Sequence, residues 1–384
     1  MTYDVHALRE REFPWAARGD AIYLNNASTG PLPARTVAAQ HAFNTLRAEP
    51  WRITDEDELS TIRRTRELCA RLIGASLTEI ALMVNTSYGI NVAARALPLA
   101  AGDVVLTFDL EFPANVYPWM ALERRGIRLE RIPCVDGLPD EDSLIAALDR
   151  PGVRVVTVSW VAFATGYRVD LARLGRACRE RNIFFVVDAI QGVGALALDV
   201  HSLDVDILAC GGQKWLLSPW GSGFVYVREA LVRNLEPVAV GWMATRSSDD
   251  FTRLTDYDPA WHDDARRFEV TTLPYQDFAA MNASLELLLE LGPGAIEHHV
   301  VTLASLVVDW ARSQRVVRLV TPADPAFRAG IVAVAPRDAV RVSERLARSG
   351  VKHALREGAI RLSPHCYNTA EELDRALRLV EAAS

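Results

Sequence analysis

Short apolar segments recur between residues 80 and 227, and most of them are continuous rather than alternating. Val104–Phe108 and Phe184–Asp188, for example, consist largely of β-branched and aromatic residues. Strands of this composition are buried on both faces, which is typical of a parallel sheet covered by helices. The seven predicted strands are residues 80–84, 104–108, 128–132, 154–159, 184–188, 207–210 and 223–227.

Helical spacing of apolar residues occupies most of the intervals around these strands. Helices are predicted over residues 34–48, 58–73, 88–97, 116–125, 141–148 and 171–181. This alternation predicts an α/β fold with a mostly parallel seven-stranded sheet flanked by helices. The last two strands are joined by a short, helix-poor stretch around Lys214, so one antiparallel edge strand is expected.

The pattern changes after residue 236, where a polar, Trp-containing connection begins. Long helical patterns follow at 275–291 and 295–315, and then shorter segments predict a small α+β unit. Its strands are expected at 316–319, 330–335 and 359–362, with helices at 339–349 and 370–383. We therefore predict an N-terminal segment, 1–20, that packs near a small C-terminal domain, 266–384, and a large domain at 21–265.

Composition narrows the class of protein. The chain has 384 residues, 50% hydrophobic and 24% charged, which fits a folded globular protein. A formal charge of -7 without a lysine-rich tract argues against a nucleic-acid partner. No apolar run approaches the ~20 residues of a membrane span. Five cysteines at irregular spacing, without a CxxC pair, indicate reduced thiols in a cytoplasmic protein, and no metal site is expected.

Lysine is rare in this chain. Lys214 and Lys352 are its only lysines, although Lys and Arg together number 42. Arginine cannot lose its proton near neutral pH, whereas lysine can become a neutral nucleophile that forms an imine with an aldehyde. A lysine retained in such a chain therefore favours covalent chemistry, although one remaining lysine is equally well explained as a chance surface residue.

The surroundings of Lys214 strengthen that case. Ligands of open α/β sheets bind at the carboxyl ends of the strands. Asp188 ends one predicted strand, and Lys214 follows the next one after Gly211, Gly212 and Gln213. Pyridoxal phosphate (PLP) needs a lysine amine for its aldehyde and a carboxylate beside its ring nitrogen. Alone, either residue is explained as a strand-end hydrogen-bonding group or a loop lysine; together they favour a PLP site.

A phosphate site is predicted where Asn85, Thr86 and Ser87 precede a helix. Their hydroxyls, the free N–H groups and the positive end of the helix dipole suit an anion. An ordinary helix cap has the same sequence, so this segment alone leaves both interpretations open. Gly211 and Gly212 allow the backbone to pass close to a ligand, as they would also allow a tight turn.

Several segments together resemble the class V aminotransferase family of fold-type I PLP enzymes. They are residues 186–191 (Val-Val-Asp-Ala-Ile-Gln), 211–227, 23–27, 85–91, 268–274 and 360–369, so the resemblance covers nearly the whole chain. It implies covalent attachment of PLP to Lys214, Asp188 at the ring nitrogen and Gln191 near the phenolic oxygen. It further implies cofactor contacts at Thr86, Ser87, Phe112, Gly211, Gln213 and Thr272.

The resemblance also implies a substrate site and a quaternary structure. Arg361 matches the arginine that binds the α-carboxylate of the substrate, a task suited to a planar guanidinium, and Asn26 and Ala27 belong to the substrate side. Thr272 aligns with a residue that reaches the phosphate of a partner subunit. A homodimer with shared active sites is therefore expected.

Two departures bear on the reaction. Cysteine desulfurases of this family have a histidine before the lysine and a mobile-loop cysteine before the carboxylate-binding arginine. Here Gln213 precedes Lys214, and residues 351–360 contain no cysteine. A desulfurase is therefore disfavoured, and the chain looks more like the isopenicillin N epimerase-like and kynureninase-like branches.

The sequence thus favours a PLP-dependent transferase that acts at Cα of a small-molecule amino acid, with transamination as the first interpretation. An amino-acid epimerase or a C–S/β-lyase is the alternative within the same chemistry. A catalytically silent PLP-fold regulator is a further alternative, which the retention of Lys214, Asp188 and Arg361 disfavours. A nicotinamide-dependent oxidoreductase is disfavoured because no GxGxxG follows the first strands.

Overall fold

The computed structural model of the chain describes residues 3–237, 239–270 and 272–383. The strands are β1 (Ile22–Tyr23), β2 (Ile80–Leu82), β3 (Val104–Phe108), β4 (Arg128–Ile132), β5 (Val153–Ser159), β6 (Phe184–Asp188), β7 (Ile207–Gly211), β8 (Gly223–Val227), β9 (Val317–Leu319), β10 (Val332–Pro336), β11 (Val351–Lys352), β12 (Ala354–Arg356) and β13 (Ala359–Leu362). The α-helices are α1 (Val5–Glu12), α2 (Pro14–Ala17), α3 (Ala34–Ala48), α4 (Asp55–Ile73), α5 (Thr86–Ala96), α6 (Tyr117–Met120), α7 (Glu141–Ala147), α8 (Leu171–Arg179), α9 (Glu229–Val232), α10 (Tyr275–Leu291), α11 (Pro293–Ser313), α12 (Ala339–Arg348) and α13 (Ala370–Glu381).

The central sheet has seven strands in the order β2-β8-β7-β6-β5-β3-β4. Strand β8 runs antiparallel to both of its neighbours, and the other neighbouring pairs are parallel. The mostly parallel seven-stranded sheet is therefore confirmed. The expectation of an antiparallel edge strand was wrong in its position, because the short strand β2 pairs with the outer side of β8.

Burial on both faces of the sheet explains its continuous apolar strands. In β6, Phe185 and Val187 belong to one hydrophobic core, whereas Val186 belongs to the core on the opposite face. Successive side chains of a strand point to opposite faces, so each core takes every second residue. The polar residues of such strands are thereby concentrated at the strand ends.

Local hydrogen bonds move several helix boundaries from their predicted positions. Helix α4 begins at Asp55 rather than residue 58 because Thr54 and Asp57 form a reciprocal capping box. Helix α5 begins at Thr86 because the side chain of Asn85 accepts a hydrogen bond from the Tyr88 N–H. The helix predicted over 116–125 is instead the short α6 followed by a 3₁₀ segment, Ala121–Arg125.

The C-terminal part contains a second sheet with the strand order β12-β13-β10-β9, all antiparallel. This sheet and helices α11, α12 and α13 enclose a separate hydrophobic core. The smaller α+β unit predicted from the sequence is confirmed, and the short strands β11 and β12 were not anticipated. The N-terminal segment reaches this part of the molecule, since β1 pairs with β11 and Arg9 forms a 2.8 Å ion pair with Glu372.

Helix α10 packs against α3, where Thr36 Oγ1 lies 2.7 Å from Ser284 Oγ. The domain boundaries near residues 20 and 265 remain predictions. In the described ranges, no single helix is long and apolar enough to cross a membrane; α10 and α11 meet the requirement only as a pair, which is bent by 80°.

Gly89 allows close packing of α5 on β7, which gives a test of the fold. A Cβ at Gly89 would lie 2.6 Å from the Cβ of Ala209 and 2.8 Å from the sulfur of Met83. We expect Gly89→Ala to lower the free energy of unfolding by about 1–3 kcal/mol because the helix must move away from the sheet. Urea denaturation of the cofactor-free protein measures this change.

Gly294→Ala is the matched control, since Gly294 lies in the first turn of α11 and its added Cβ would meet nothing within 4 Å. It should be neutral or stabilise the protein by up to about 1 kcal/mol. Equal stability of the Gly89 variant and the wild type would contradict the packing described here.

Candidate active site

Polar side chains from several strand ends converge at the carboxyl edge of the central sheet. Ser159 ends β5 and Asp188 ends β6, and the two residues are direct partners in the parallel register. Lys214 follows β7 after a short turn, and Thr86 begins the helix after β2. The sheet therefore brings together the groups that the sequence distributes over about 130 positions.

Asp188 is a buried acid at the floor of this site, with 2% of its surface exposed. Its Oδ1 accepts a 3.0 Å hydrogen bond from the Ile190 N–H. Burial raises the pKa of the Asp188 carboxyl to about 6, against the opposing influences of that hydrogen bond and of Lys214. A protonated ring nitrogen beside this carboxyl would favour its ionised form.

Lys214 is half-buried above the same edge of the sheet. Burial, together with the charges of Arg361 and Arg356, lowers the pKa of its ammonium to about 8, although Asp188 acts in the opposite direction. About a tenth of the amine is therefore neutral and nucleophilic at pH 7. In the described part of the chain, no ion pair within 4.0 Å joins Lys214 to Asp188 although the two interact electrostatically.

Phe112 lies beside Lys214, with the ring centroid 5.5 Å from Nζ. The ring is 40% exposed and makes an edge contact with Phe163, whose centroid is 5.3 Å away. An aromatic face is therefore available next to the amine. This is the position that the resemblance assigns to a ring that stacks on the cofactor.

The turn before Lys214 is coupled to the start of α5. The Gly211 N–H donates a 2.9 Å hydrogen bond to Thr86 Oγ1. A Cβ at Gly211 would lie 2.6 Å from Gln213 Oε1 and 3.2 Å from Thr86 Oγ1, so a larger residue here would displace the Gln213 side chain. Ser87 is exposed at the N-terminus of α5, where hydroxyl and backbone N–H groups suit a phosphate.

Gln191 connects three segments of the site. Its Nε2 donates to the carbonyl of Ala27 at 3.0 Å, and its Oε1 accepts from the Trp215 indole N–H at 2.8 Å. The side chain is buried, and one amide hydrogen is left for a further acceptor. The phenolic oxygen of a bound pyridoxal ring is an acceptor of the required kind.

Arg361 is a buried cation without an acidic partner. It has 2% exposure, its Nη1 donates to the Phe163 carbonyl at 2.7 Å, and its Nη2 donates to Ser28 Oγ at 2.8 Å. Its Nε is buried without a hydrogen-bond partner, and no carboxylate within the described ranges forms an ion pair with it. Burial, together with Arg356, lowers the pKa of this guanidinium to about 10. A carboxylate ligand would supply the missing countercharge.

Both polar atoms of the Asn26 side chain form hydrogen bonds with other residues of the protein. Its Nδ2 donates to the Ser363 carbonyl at 2.8 Å, and its Oδ1 accepts from the Tyr367 hydroxyl at 3.0 Å. The Ala27 N–H donates to Ser363 Oγ at 3.0 Å. These two residues thus attach the N-terminal segment to the end of β13, two residues from Arg361.

Ser87 and Thr272 lie apart from the hydrogen-bonded groups. Both are exposed, and neither side chain forms a hydrogen bond with another predicted site residue in the described ranges. Thr271, which belongs to the same motif as Thr272, lies outside the described residues. No group of three or more His, Cys, Asp or Glu side chains in the described ranges could hold a metal ion.

Glu111 is an acid of the site that the sequence analysis missed. Its Oε1 accepts a 2.6 Å hydrogen bond from the Ser159 N–H, and its Oε2 lies 2.5 Å from Ser159 Oγ. Burial, with a smaller contribution from the nearby Asp188, raises the pKa of the Glu111 carboxyl to about 7, although the hydrogen bonds from Ser159 oppose this. The sequence offered one indication of this role, since Glu111 directly precedes the predicted cofactor contact Phe112. Glu111 holds that segment against the end of β5.

The described residues fit PLP. A buried carboxyl and an amine with a lowered pKa lie at one edge of the sheet without an ion pair in the described ranges, an aromatic ring lies beside the amine, and a helix N-terminus with hydroxyls suits the phosphate. Within this arrangement Lys214, Asp188, Gln191, Thr86 and Phe112 would hold the cofactor. The Arg361 guanidinium, which has no acidic partner among the described residues, suits an acidic substrate group.

The raised pKa of Glu111 predicts a pH-dependent stability of the cofactor-free protein. A folded-state pKa near 7, against an ordinary value of 4.5, means that the stability contribution is present below 4.5 and is lost as pH rises through 7. Relative to Glu111→Gln, which stays neutral, the wild-type protein should therefore lose stability as pH rises from about 4.5 to 7, by at most about 1.4 kcal/mol per pH unit. Buried His365, whose pKa is lowered to about 4, acts with the opposite sign in both proteins, so the slopes of melting temperature against pH are compared between them.

The raised pKa of Asp188 also makes stability fall with rising pH. The contribution of carboxyl groups to the slope of melting temperature against pH should therefore be reduced, not abolished, in the Glu111 variant. Glu344→Gln, at an exposed position on α12, is the control and should keep the wild-type slope. Identical slopes for the Glu111 variant and the wild type would show that Glu111 titrates normally.

Known proteins resemble the chain over most of its length. The model of the family described as aminotransferase class-V matches residues 22–376. A probable cysteine desulfurase of Methanothermobacter thermautotrophicus is 30% identical over 379 residues, covering 92% of each chain. Isopenicillin N epimerase of Streptomyces clavuligerus is 31% identical over 385 residues, covering 94% of each.

The solved structure of C-DES with glycine linked covalently to its PLP cofactor has a TM-score of 0.88 at 22% identity, covering 99% of this chain and 100% of that one. The chain belongs to the class V aminotransferase family of PLP-dependent enzymes.

Proposed function

We propose that this enzyme acts at Cα of an α-amino acid and that it transfers the amino group. One observation carries the proposal: Arg361 is buried with an unused Nε donor and, within the described part of the chain, no acidic partner, at the same site as the Lys214 amine. A substrate carboxylate would satisfy this guanidinium. An amino acid bound in this way presents its amine and its Cα proton to the groups around Lys214.

The roles of the residues follow from their surroundings. Arg361 binds and orients the carboxylate, and Asp188 holds a proton at the ring nitrogen. PLP, when bound, supplies an electron sink for the electron pair left at Cα. Lys214, with its lowered pKa, takes the Cα proton as a general base, while Phe112 and Phe163 exclude water from one side.

Structural features also support the case against a cysteine desulfurase. The antiparallel strands β12 and β13 occupy the region before Arg361 and contain no cysteine. Cys366 is fully buried, and burial raises the pKa of its thiol well above the ordinary value. It therefore lacks the exposure and acidity of a nucleophilic thiol. Epimerisation and C–S/β-lyase chemistry remain the alternative, since neither needs a second nucleophile.

We further propose a homodimer in which each subunit completes the site of the other. Thr272 is exposed, and its side chain forms no hydrogen bond with another predicted site residue in the described ranges. Large apolar side chains elsewhere in the chain are also exposed, including Trp220 at 71% and Trp242 at 42%. Burial of such side chains against a second copy would be favourable.

Covalent attachment of PLP to Lys214 gives the first test. Borohydride reduction of the PLP-loaded protein followed by peptide mapping should place the pyridoxyl mass on Lys214, because its amine is the one with a lowered pKa. Lys352, which is exposed on β11, is the internal control and should remain unlabelled. Exclusive labelling of Lys352 would contradict the assignment, and Lys214→Ala should abolish the label.

The reaction itself is tested with a panel of L- and D-amino acids, with and without a 2-oxo acid acceptor. Transamination predicts a 2-oxo acid formed from the donor and a new amino acid formed from the acceptor. Inversion without acceptor consumption would establish an epimerase, and release of sulfide or another β-substituent would establish a lyase. A labelled protein that converts none of the panel would support the silent regulator.

A further inference from the structure

Strands β12 and β13 form a hairpin that places two arginines on one face. Ala354 pairs with Arg361, and Arg356 pairs with Ala359. Directly opposed residues of an antiparallel pair share a face, and so do residues two apart on one strand. Arg356 therefore lies on the same face as Arg361, nearer to the turn of the hairpin.

The turn holds this arrangement in place. Glu357 and Gly358 form the two-residue connection, with φ of +45° and +73°. Positive φ at both positions is the conformation that matches the twist of a hairpin. Strand β13 also pairs with β10, so Arg356 extends from a fixed framework. Its backbone position is set without any bound ligand.

Arg356 has no acidic partner in the described part of the chain. It is exposed, and its Nη1 donates only to the carbonyl of the adjacent Leu355, at 2.9 Å. The neighbouring Glu357 does not pair with it, whereas the surface residue Arg348 forms an ion pair with Glu344.

The charge of Arg356 acts on two residues of the site. It contributes to the lowered pKa values of both Lys214 and Arg361, so its guanidinium lies within electrostatic range of both. Three cationic side chains therefore act on one cleft, although the chain as a whole has a formal charge of -7. One α-carboxylate satisfies Arg361 and leaves Arg356 available for a second anion.

We propose that Arg356 is a specificity residue that binds a second acidic group of the substrate, so that the preferred substrates are amino acids with a carboxylate or another anion on the side chain. The inference rests on the proposed action at an α-amino acid. Arg361 fixes the α-carboxylate inside the cleft, and Arg356 receives the side-chain anion at its mouth. Because Arg356 is exposed, added salt should weaken this second contact more than the first.

The kinetic test compares acids with their amides, which have nearly the same shape. Holoenzyme kcat/KM is measured for aspartate and glutamate against asparagine and glutamine. Wild-type enzyme should prefer the acids, and Arg356→Gln should lower kcat/KM for the acids by about tenfold to a hundredfold while changing the amides by less than about threefold. Arg361→Lys should weaken acids and amides alike.

Arg318→Gln is the matched control, since Arg318 is an exposed arginine on β9 of the same sheet. It should leave the preference for acids unchanged. Wild-type enzyme that turns over acids and amides equally would overturn the role of Arg356 and leave the proposed function intact. A preference for acids that persists in Arg356→Gln would also overturn the role of Arg356.

A binding measurement makes the inference independent of turnover. Glutarate should raise the melting temperature of the holoenzyme more than butyrate does, and this difference should disappear in Arg356→Gln but not in Arg318→Gln. Equal effects of glutarate and butyrate on the wild type would overturn the second anion site. Absence of turnover with every amino acid, combined with the expected glutarate effect, would instead overturn the proposed reaction.

Discussion

The site depends on the burial of one carboxyl, that of Asp188, opposite an amine that does not neutralise it. Removing a charge from water is costly unless a partner compensates it, and here burial raises the pKa of Asp188 and lowers that of Lys214. Their side chains stay too far apart for an ion pair. A cofactor with a cationic ring nitrogen and an aldehyde would satisfy both groups, the carboxyl through its nitrogen and the amine through its aldehyde.

The rest of the fold maintains this separation. The parallel register aligns Ser159 with Asp188, so β5 and β6 fix the acid end of the site. The glycine turn after β7, which is bonded to Thr86, fixes the amine end. The hairpin of the smaller sheet then carries Arg361 to the cleft, where Ser28 and the Phe163 carbonyl hold it. Two cores on opposite faces of the central sheet make these strand ends rigid.

Much of this architecture could be predicted from local sequence pattern, and the failures have identifiable causes. Continuous apolar runs predicted the parallel strands because a strand that is buried on both faces needs apolar residues at successive positions. The place of β8 inside the sheet could not be predicted, since it depends on pairing with β2 more than 140 residues earlier. Asp188 and Lys214 were predicted as a pair because both follow strands. The internal hydrogen bonds of Asn26 were not, because its partners lie 337 and 341 residues away.

The most direct measurement concerns the loss of the Cα proton in Asp188→Asn, which preserves shape and removes the charge. The PLP-loaded variant and the wild type are mixed with a bound amino acid in D₂O, and deuterium incorporation at Cα is followed. If Asp188 maintains the ring proton, the variant should keep its cofactor on Lys214 and exchange the Cα proton at least about a hundredfold more slowly. Exchange at the wild-type rate with full cofactor occupancy would contradict the central role assigned to the buried carboxyl.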